Sequence, residues 1–131
     1  MARDLTRYPV HLGRGATATA EPAFSGVMEW YADYAIRHAG DGAEGRLISL
    51  FQFSENWTTW EMHPHGDEVV ICVRGRITLQ QQADDGAITR IALSENDYAI
   101  NAPGVWHTAD VTGDATALFI TAGLDTQVRP R

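Results

Sequence analysis

Two short segments concentrate the side chains that could bind a metal ion or move a proton. The first runs from Glu61 to Glu68, and the second ends at His107. Three of the five histidines fall in these segments, together with two glutamates. Imidazole and carboxylate groups bind divalent Fe, Mn, Ni, Cu or Zn while leaving coordination positions for a substrate. The sequence therefore predicts one functional pocket where the two segments meet.

Strand geometry decides which of these side chains share a face. In the strand before Pro64, alternation puts Glu61 and His63 on the same face as Trp57. Pro64 lacks a backbone N–H donor, so the residues after it are predicted to form a turn. The chain then re-enters the sheet at Glu68, which opens an apolar strand where an unpaired carboxylate would be costly. If this face points inward, Glu61, His63 and Glu68 converge.

The second segment reaches His107 through a Pro-Gly turn, which would make this histidine the opposite wall of the pocket. His65 lies in the predicted turn and is placed at the rim, because a loop histidine beside proline is usually solvated. Trp57 shares the inward face and is a second candidate for the rim, with core packing as the alternative. His11 and His38 lie outside both segments and are assigned no role.

Length, composition and charge limit the classes of function. The chain has 131 residues, 44% of them apolar, which fits one domain with a core that needs no disulfide. Its net charge is −7 and its ten basic residues are scattered, so the positive stripe that a nucleic acid requires is missing. No apolar run approaches the ~20 residues of a membrane-spanning helix, and residues 1–22 do not resemble a secretory signal. We therefore expect a cytoplasmic protein without nucleic-acid or membrane partners.

The first part of the chain must position the pocket without contributing to it. Residues 1–24 are predicted to be an irregular arm. A helix is predicted over 26–39, because apolar side chains recur there at spacings of three and four. Ser25 is its predicted N-cap, and Gly40 is the residue that ends it.

The rest of the chain reads as strands. Short apolar or alternating runs bounded by turn residues predict strands, in addition to the one before Pro64, over 47–53, 69–73, 76–82, 88–93, 98–100, 107–111 and 115–122. Several short strands without intervening helices indicate an all-β sandwich or barrel. We divide the chain into an arm and helix, residues 1–44, and a barrel, residues 45–131, within one structural domain.

Both chemical segments resemble the two motifs of the cupin superfamily of small β-barrels. Glu68, six residues and Gly75 match the end of the first motif: His-x-His, three or four residues, Glu, six residues, Gly. Residues 96–107 are similar to the second motif, Gly-Asp through Pro-x-Gly-x-x-His, although Asn96 stands where that motif has glycine and Ala102 where it has proline. The resemblance covers roughly residues 45–123. It implies a cupin-type antiparallel β-barrel, or jelly roll, preceded by the arm and one short helix.

Residue spacing decides which side chains occupy the motif positions. If His63 and His65 were the paired histidines, only two residues would separate His65 from Glu68, one fewer than the motif allows. If His63 is the second histidine, four residues precede Glu68 and the spacing fits, which puts Glu61 at the first-histidine position. The resemblance then implies His63, Glu68 and His107 as metal ligands. Glu61 becomes a further ligand or the catalytic base.

Three functions compete. The first is a small metal-dependent enzyme, such as a dioxygenase or isomerase, that uses a divalent metal to act on a small organic molecule. The second is a barrel that binds a small ligand without chemistry, either metal-free or with a structural metal. The third is a structural barrel that acts through dimerisation, because Val69, Ile71 and Val73 form an apolar outer face that needs a covering layer. A homodimer is the expected assembly.

Overall fold

Two antiparallel β-sheets and one short helix make up the fold in a computed structural model that describes residues 1–131. The helix α1 spans Met28–Arg37, and 3-10 segments lie at Arg14–Ala16 and Ala39–Glu44. The strands are β1 Val10–Gly13, β2 Thr17–Ala20, β3 Arg46–Phe53, β4 Thr59–Met62, β5 Glu68–Arg74, β6 Ile77–Gln82, β7 Ile88–Leu93, β8 Tyr98–Asn101, β9 Trp106–Val111, β10 Ala115–Thr121 and β11 Gln127–Pro130. The predicted all-β antiparallel architecture with one short helix is confirmed.

Strands that are distant in sequence become neighbours in both sheets. One sheet has six strands in the order β2-β1-β3-β10-β5-β8, and the other has five in the order β11-β4-β9-β6-β7. Strand β5, which begins at Glu68, therefore lies between β10 and β8. Strand β4, which carries Glu61, lies between β11 and β9. The two halves of the predicted pocket thus belong to different sheets.

The apolar core lies between the two sheets. Buried and half-buried positions alternate along β5 and β10, as expected for strands with one inward face. Val70, Cys72, Leu79 and Ala117 have no exposed surface, and Cys72 is the only cysteine. Burying a valine or leucine side chain contributes about 1.5–3 kcal/mol, so this layer stabilises the barrel that carries the site.

The N-terminal arm is more regular than predicted. In place of an irregular segment, β1 and β2 form a hairpin, and β1 also pairs with β3 from Val10 opposite Ile48 to Leu12 opposite Arg46. Each strand has only four residues, too few for a recognisable alternation. Pairing with β3, which local sequence does not reveal, makes these residues strands.

Helix α1 begins two residues later than predicted. Its N-cap is Val27, which makes no side-chain capping hydrogen bond, so the predicted role of Ser25 was wrong. Gly26 adopts a left-handed backbone conformation with φ 76° and turns the chain between Ser25 and the helix. Of the predicted apolar stripe, Trp30 is buried and stacks on Tyr34 with ring centroids 5.8 Å apart. No helix is long and apolar enough to cross a membrane.

A polar cluster holds the arm to α1. The rings of His11 and His38 stack with centroids 3.6 Å apart. The two ring nitrogens of His11 lie 2.6 Å from the Tyr34 hydroxyl and 2.7 Å from the Asp41 carboxylate. His38 Nε2 lies 2.7 Å from the buried carboxylate of Glu21. These contacts give the two histidines outside the motif segments a structural role.

The outer face of the six-stranded sheet exposes part of the predicted apolar surface. Val69 and Ile71 are half-buried, whereas Val73 is 44% exposed. On the neighbouring edge strand β8, Tyr98 is 64% and Ile100 is 51% exposed. Covering of this face by a second copy stays a prediction.

Gly75, the last residue of the first motif, has a steric requirement that can be tested. Its φ is 78°, and a Cβ there would lie 2.4 Å from the Asp114 carbonyl oxygen. We expect Gly75→Ala to lower the free energy of unfolding by about 2–5 kcal/mol. The strain of an alanine in the left-handed conformation adds to the cost of displacing the Asp114 backbone. Gly86, at φ 86° with no atom within 4 Å, is the control. Gly86→Ala should cost only about 1–2 kcal/mol. Equal losses in urea denaturation would contradict the steric explanation.

Candidate metal centre

Strand register brings three predicted site residues together. β4 and β9 pair so that Glu61 lies directly opposite His107. The Cβ atoms of directly opposed residues lie about 4.5–5.5 Å apart. The ring of His63, two residues after Glu61, has its centroid 5.1 Å from that of His107. One potential ligand atom from each of Glu61, His63 and His107 lies within 4.8 Å of the others.

Glu68 faces this group from the six-stranded sheet. Its side chain is buried, with Oε2 3.1 Å from His63 Nε2 and Oε1 3.2 Å from His107 Nε2. Asn101 Nδ2 donates a hydrogen bond to Oε1 at 3.0 Å, and Thr121 Oγ1 donates to Oε2 at 2.6 Å. Asn101 and Thr121 are the residues that pair with Glu68 on β8 and β10. The register of one sheet therefore holds the carboxylate against the histidines of the other.

Hydrogen bonds at Nδ1 determine where each neutral histidine carries its proton. His63 Nδ1 lies 2.7 Å from Thr126 Oγ1, and that hydroxyl donates its single hydrogen to the Gly123 carbonyl at 2.9 Å. With that hydrogen on the Gly123 carbonyl, Thr126 accepts from His63 and Nδ1 carries the imidazole hydrogen. His107 Nδ1 lies 3.3 Å from the Val105 carbonyl, which can only accept. Both neutral imidazoles consequently direct the Nε2 lone pair into the site.

Three buried side-chain polar atoms lack a hydrogen-bond partner: His63 Nε2 and His107 Nε2 in this site, and Nε1 of the neighbouring Trp57. The two Nε2 atoms are within ion-pair distance of Glu68 but poorly directed for a hydrogen bond, so they pair with it by charge when the rings are protonated. When the rings are neutral, their Nε2 lone pairs face the carboxylate and repel it, and a cation between them removes that repulsion. Two imidazoles with hydrogen-bonded Nδ1 atoms and adjacent carboxylates fit a divalent metal ion.

Burial and neighbouring charges act differently on the two glutamates. Burial raises the pKa of Glu61, and the negative charge of Glu68 raises it further. Burial also acts to raise the pKa of Glu68, but His107 and His63 in their protonated form outweigh this effect and hold that pKa below its usual range. The pKa of His107 is raised overall, because Glu68 and Glu61 outweigh the lowering effect of burial. Glu68 is thus the fixed anion of the site, and Glu61 is the carboxylate that takes up a proton more readily.

The two predicted rim residues occupy different positions. His65 lies outside the group, with its side chain 42% exposed and its Nε2 2.8 Å from Asp125 Oδ2. Trp57 is half-buried, and its ring centroid lies 6.5 Å from that of His107 and 5.8 Å from that of Phe119. Trp57 therefore packs against the core and borders the site.

Aromatic side chains connect α1 with the barrel near the site. The Phe24 ring contacts the Phe51 ring of β3 at 5.5 Å and the Tyr31 ring of α1 at 5.6 Å. Burial, together with the charge of Glu61, raises the pKa of Tyr31 to about 12. The arm and α1 thus lie on the side of the barrel where Glu61 is found.

The histidine cluster of the arm differs from this site. Potential ligand atoms of His11, His38 and Asp41 also lie within 4.8 Å of one another. However, both nitrogens of His11 and one of His38 already have partners, and the two rings are within 16° of parallel. Lone pairs of parallel rings do not converge on one point, so this arrangement does not fit a metal.

Sequence reasoning missed the residues that orient the candidate ligands. Asn101 and Thr121 are polar residues at the ends of apolar strands, and that position was their only signal. Both meet Glu68 through pairing, which the sequence pattern does not show. Thr126 lies beyond the last predicted strand, in a segment without a recognisable pattern.

Comparison with family models finds no match, and no curated protein matches the sequence. Solved structures do match. Peruvianin-I, a cysteine peptidase from Thevetia peruviana latex, has a TM-score of 0.54 at 20% identity, over 65% of this chain and 56% of that chain. Oxalate oxidase in complex with glycolate has a TM-score of 0.55 at 11% identity, over 64% and 45%. Hydroxypropylphosphonic acid epoxidase from S. wedmorenis in complex with fosfomycin has a TM-score of 0.51 at 12% identity, over 58% and 43%.

Oxalate oxidase and the epoxidase are cupin-fold proteins, and this chain has the same fold. This confirms the fold that the two motif segments predicted. The matched region spans only about half of each of these solved chains, and the identities are low. The likeness therefore establishes the cupin architecture and does not establish the function.

The hydrogen bond from Thr121 to Glu68 is the basis of a stability prediction. Thr121→Val removes the donor and keeps the shape of the side chain. We expect the free energy of unfolding near neutral pH to fall by about 1.5–3 kcal/mol, because a buried carboxylate loses a partner. Thr116, half-buried on the same strand without a side-chain hydrogen bond, is the control. Thr116→Val should change stability by less than about 0.5 kcal/mol in urea denaturation. A loss as large as that of Thr121→Val would contradict the prediction.

Proposed function

We propose that this protein is a small metal-dependent cupin enzyme that acts on a small organic molecule. The observation that supports this most directly is the pair of buried, unpartnered Nε2 atoms of His63 and His107 beside two glutamates. A purely structural barrel would favour satisfied or apolar side chains at this depth, because each unpaired buried polar atom costs about 1–3 kcal/mol.

His63, Glu68 and His107 are proposed to hold the metal. The hydrogen bonds at Nδ1 of both histidines orient the Nε2 lone pairs, and Glu68 is held by two donors. Such outer partners typically fix the orientation of metal ligands. Fe, Mn, Ni, Cu and Zn all suit this nitrogen and oxygen donor set. When bound, the metal would supply Lewis-acid or oxygen-activating chemistry.

Glu61 is proposed as the catalytic base, with a role as a further metal ligand as the alternative. It lies opposite His107, within 4.8 Å of the other potential ligand atoms. Unlike Glu68, it receives no side-chain hydrogen bond and is only half-buried. A carboxylate without fixed partners can turn toward a substrate and accept its proton.

The substrate is proposed to carry an oxygen acceptor on an apolar body. The Trp57 indole N–H is buried without a partner, so an oxygen of the substrate would satisfy it. The rings of Phe53 and Phe119 lie 5.7 and 5.8 Å from that of Trp57 and form an apolar wall. The site has two carboxylates and no basic side chain except its imidazoles. A doubly charged anion would therefore be disfavoured.

A barrel that binds a small ligand without chemistry is the second candidate, either metal-free or with a structural metal. The observation that favours it is the enclosure of the site. His63, Glu68 and His107 are only 4%, 3% and 1% exposed. A site buried to this extent suits retention of a ligand as well as turnover.

Elemental analysis after anaerobic reconstitution with Fe(II), Mn(II), Ni(II) or Zn(II) tests the metal site. We expect one metal ion per chain in the wild type and its loss in His63→Ala and His107→Ala, because each removes a nitrogen ligand. His65→Ala is the matched control, since His65 is exposed and contacts Asp125. It should keep the metal. Glu61→Gln should keep the metal if Glu61 is the base and lose it if Glu61 is a ligand. A wild type that takes up none of these metals would refute the proposal.

The role of Trp57 can be tested with benzoate and benzene as probes of the metal-loaded protein. We expect benzoate, which has oxygen acceptors, to raise the melting temperature more than benzene does. Trp57→Phe should weaken benzoate binding about tenfold, the loss of one hydrogen bond of about 1.4 kcal/mol. Trp60→Phe is the control, because the Trp60 ring lies under the Arg129 guanidinium at 5.6 Å, on the other face of β4. Equal weakening by both variants would contradict the role of Trp57.

A further inference from the structure

The chain after β10 returns along the strand that carries the site. β11 pairs with β4, which puts Val128 opposite Glu61 and Gln127 opposite Met62. Immediately before β11, the segment from Gly123 to Thr126 passes beside His63. The first motif segment is therefore bordered by the C-terminal segment, which lies at the end of both the sequence and the five-stranded sheet.

We propose that Thr126 is a positioning residue that fixes the tautomer and the ring orientation of His63, so that Nε2 faces the metal site as a lone pair. The inference deepens the proposed function and rests on it for the identity of the bound ion. Its physical basis is the single hydrogen of the hydroxyl. When this hydrogen lies on the Gly123 carbonyl, 2.9 Å away, Thr126 offers His63 an acceptor.

The turn itself holds Thr126 in place. The backbone N–H of Thr126 also donates to the Gly123 carbonyl, at 3.2 Å. Asp125 has a left-handed backbone conformation with φ 60°, and its carboxylate lies 2.8 Å from His65 Nε2. Two consecutive residues of the turn thus contact the two histidines on either side of Pro64. This arrangement anchors the turn on the first motif segment and keeps the Thr126 hydroxyl beside His63 Nδ1.

Loss of the Thr126 acceptor would change what His63 presents to the site. A neutral imidazole without a partner at Nδ1 can carry its hydrogen on either nitrogen. With the hydrogen on Nε2, a small rotation of the ring would let it donate to Glu68 Oε2, now 3.1 Å away, and a metal ion would have to displace that hydrogen. Thr126 therefore favours the Nδ1–H tautomer of His63, whose Nε2 lone pair is free to bind a metal ion.

The tautomer can be read directly from 15N shifts of the imidazole rings in the metal-free protein, at a pH where those shifts show His63 to be neutral. We expect the Nδ1–H form in the wild type and in Thr126→Ser, which keeps a hydroxyl. Thr126→Val, which keeps the shape without an acceptor, should shift His63 toward the Nε2–H form. If Thr126→Val does not fold, Thr126→Ala replaces it. An unchanged Nδ1–H form in the variant without a hydroxyl would overturn the proposal.

Metal affinity provides the second readout, measured by competition with a zinc chelator. Thr126→Val should bind Zn(II) about 10–100-fold more weakly than the wild type, the usual effect of removing an outer partner. Thr126→Ser should stay close to the wild type. Asp125→Asn is the control because its amide oxygen can still accept from His65 and keep the turn anchored, and it should leave the affinity unchanged. A tautomer shift with unchanged zinc affinity would overturn the positioning role. A tautomer shift in a protein that binds no metal would refute the proposed function and leave the effect of Thr126 on His63 intact.

Discussion

A buried carboxylate shared by two sheets is the constraint on which the rest of the structure depends. Glu68 is 3% exposed, and burying such a charge without partners costs several kcal/mol. Its own sheet supplies two donors, Asn101 and Thr121, and the opposite sheet supplies the rings of His63 and His107. These groups come from four separate parts of the chain. Both sheets must therefore have the correct register at the same time for Glu68 to be tolerated.

Hydrogen-bond satisfaction distinguishes the two histidine clusters. In the arm, His11 and His38 contact carboxylates directly and stack on each other, which completes their interactions within the chain. In the barrel, the outer nitrogens of His63 and His107 have partners but the inner ones do not. The first arrangement stabilises the fold, whereas the second leaves two buried ring nitrogens without a hydrogen-bond partner. The presence of histidines and carboxylates alone would not have separated these two roles.

If Glu61 occupies the first-histidine position, as the motif spacing predicts, it changes the charge of the site. Two carboxylates beside two imidazoles compensate both charges of a divalent ion, whereas a single carboxylate beside three imidazoles compensates only one. Negatively charged molecules are therefore expected to be attracted less strongly here. The likeness to oxidase and epoxidase structures does not address this point, because it establishes the cupin fold and not the substrate.

The sequence by itself determined the local features of the site. Alternation put Glu61 and His63 on one face, and spacing identified Glu68 as the motif glutamate. Only the tertiary structure decided the partners that orient these side chains, such as Asn101 and Thr126, and it also created strands in the arm. Alternation and spacing are properties of short segments and can be read from a few residues. Pairing register depends on how the whole barrel closes, and a slip of one residue would turn every side chain of a strand to the opposite face.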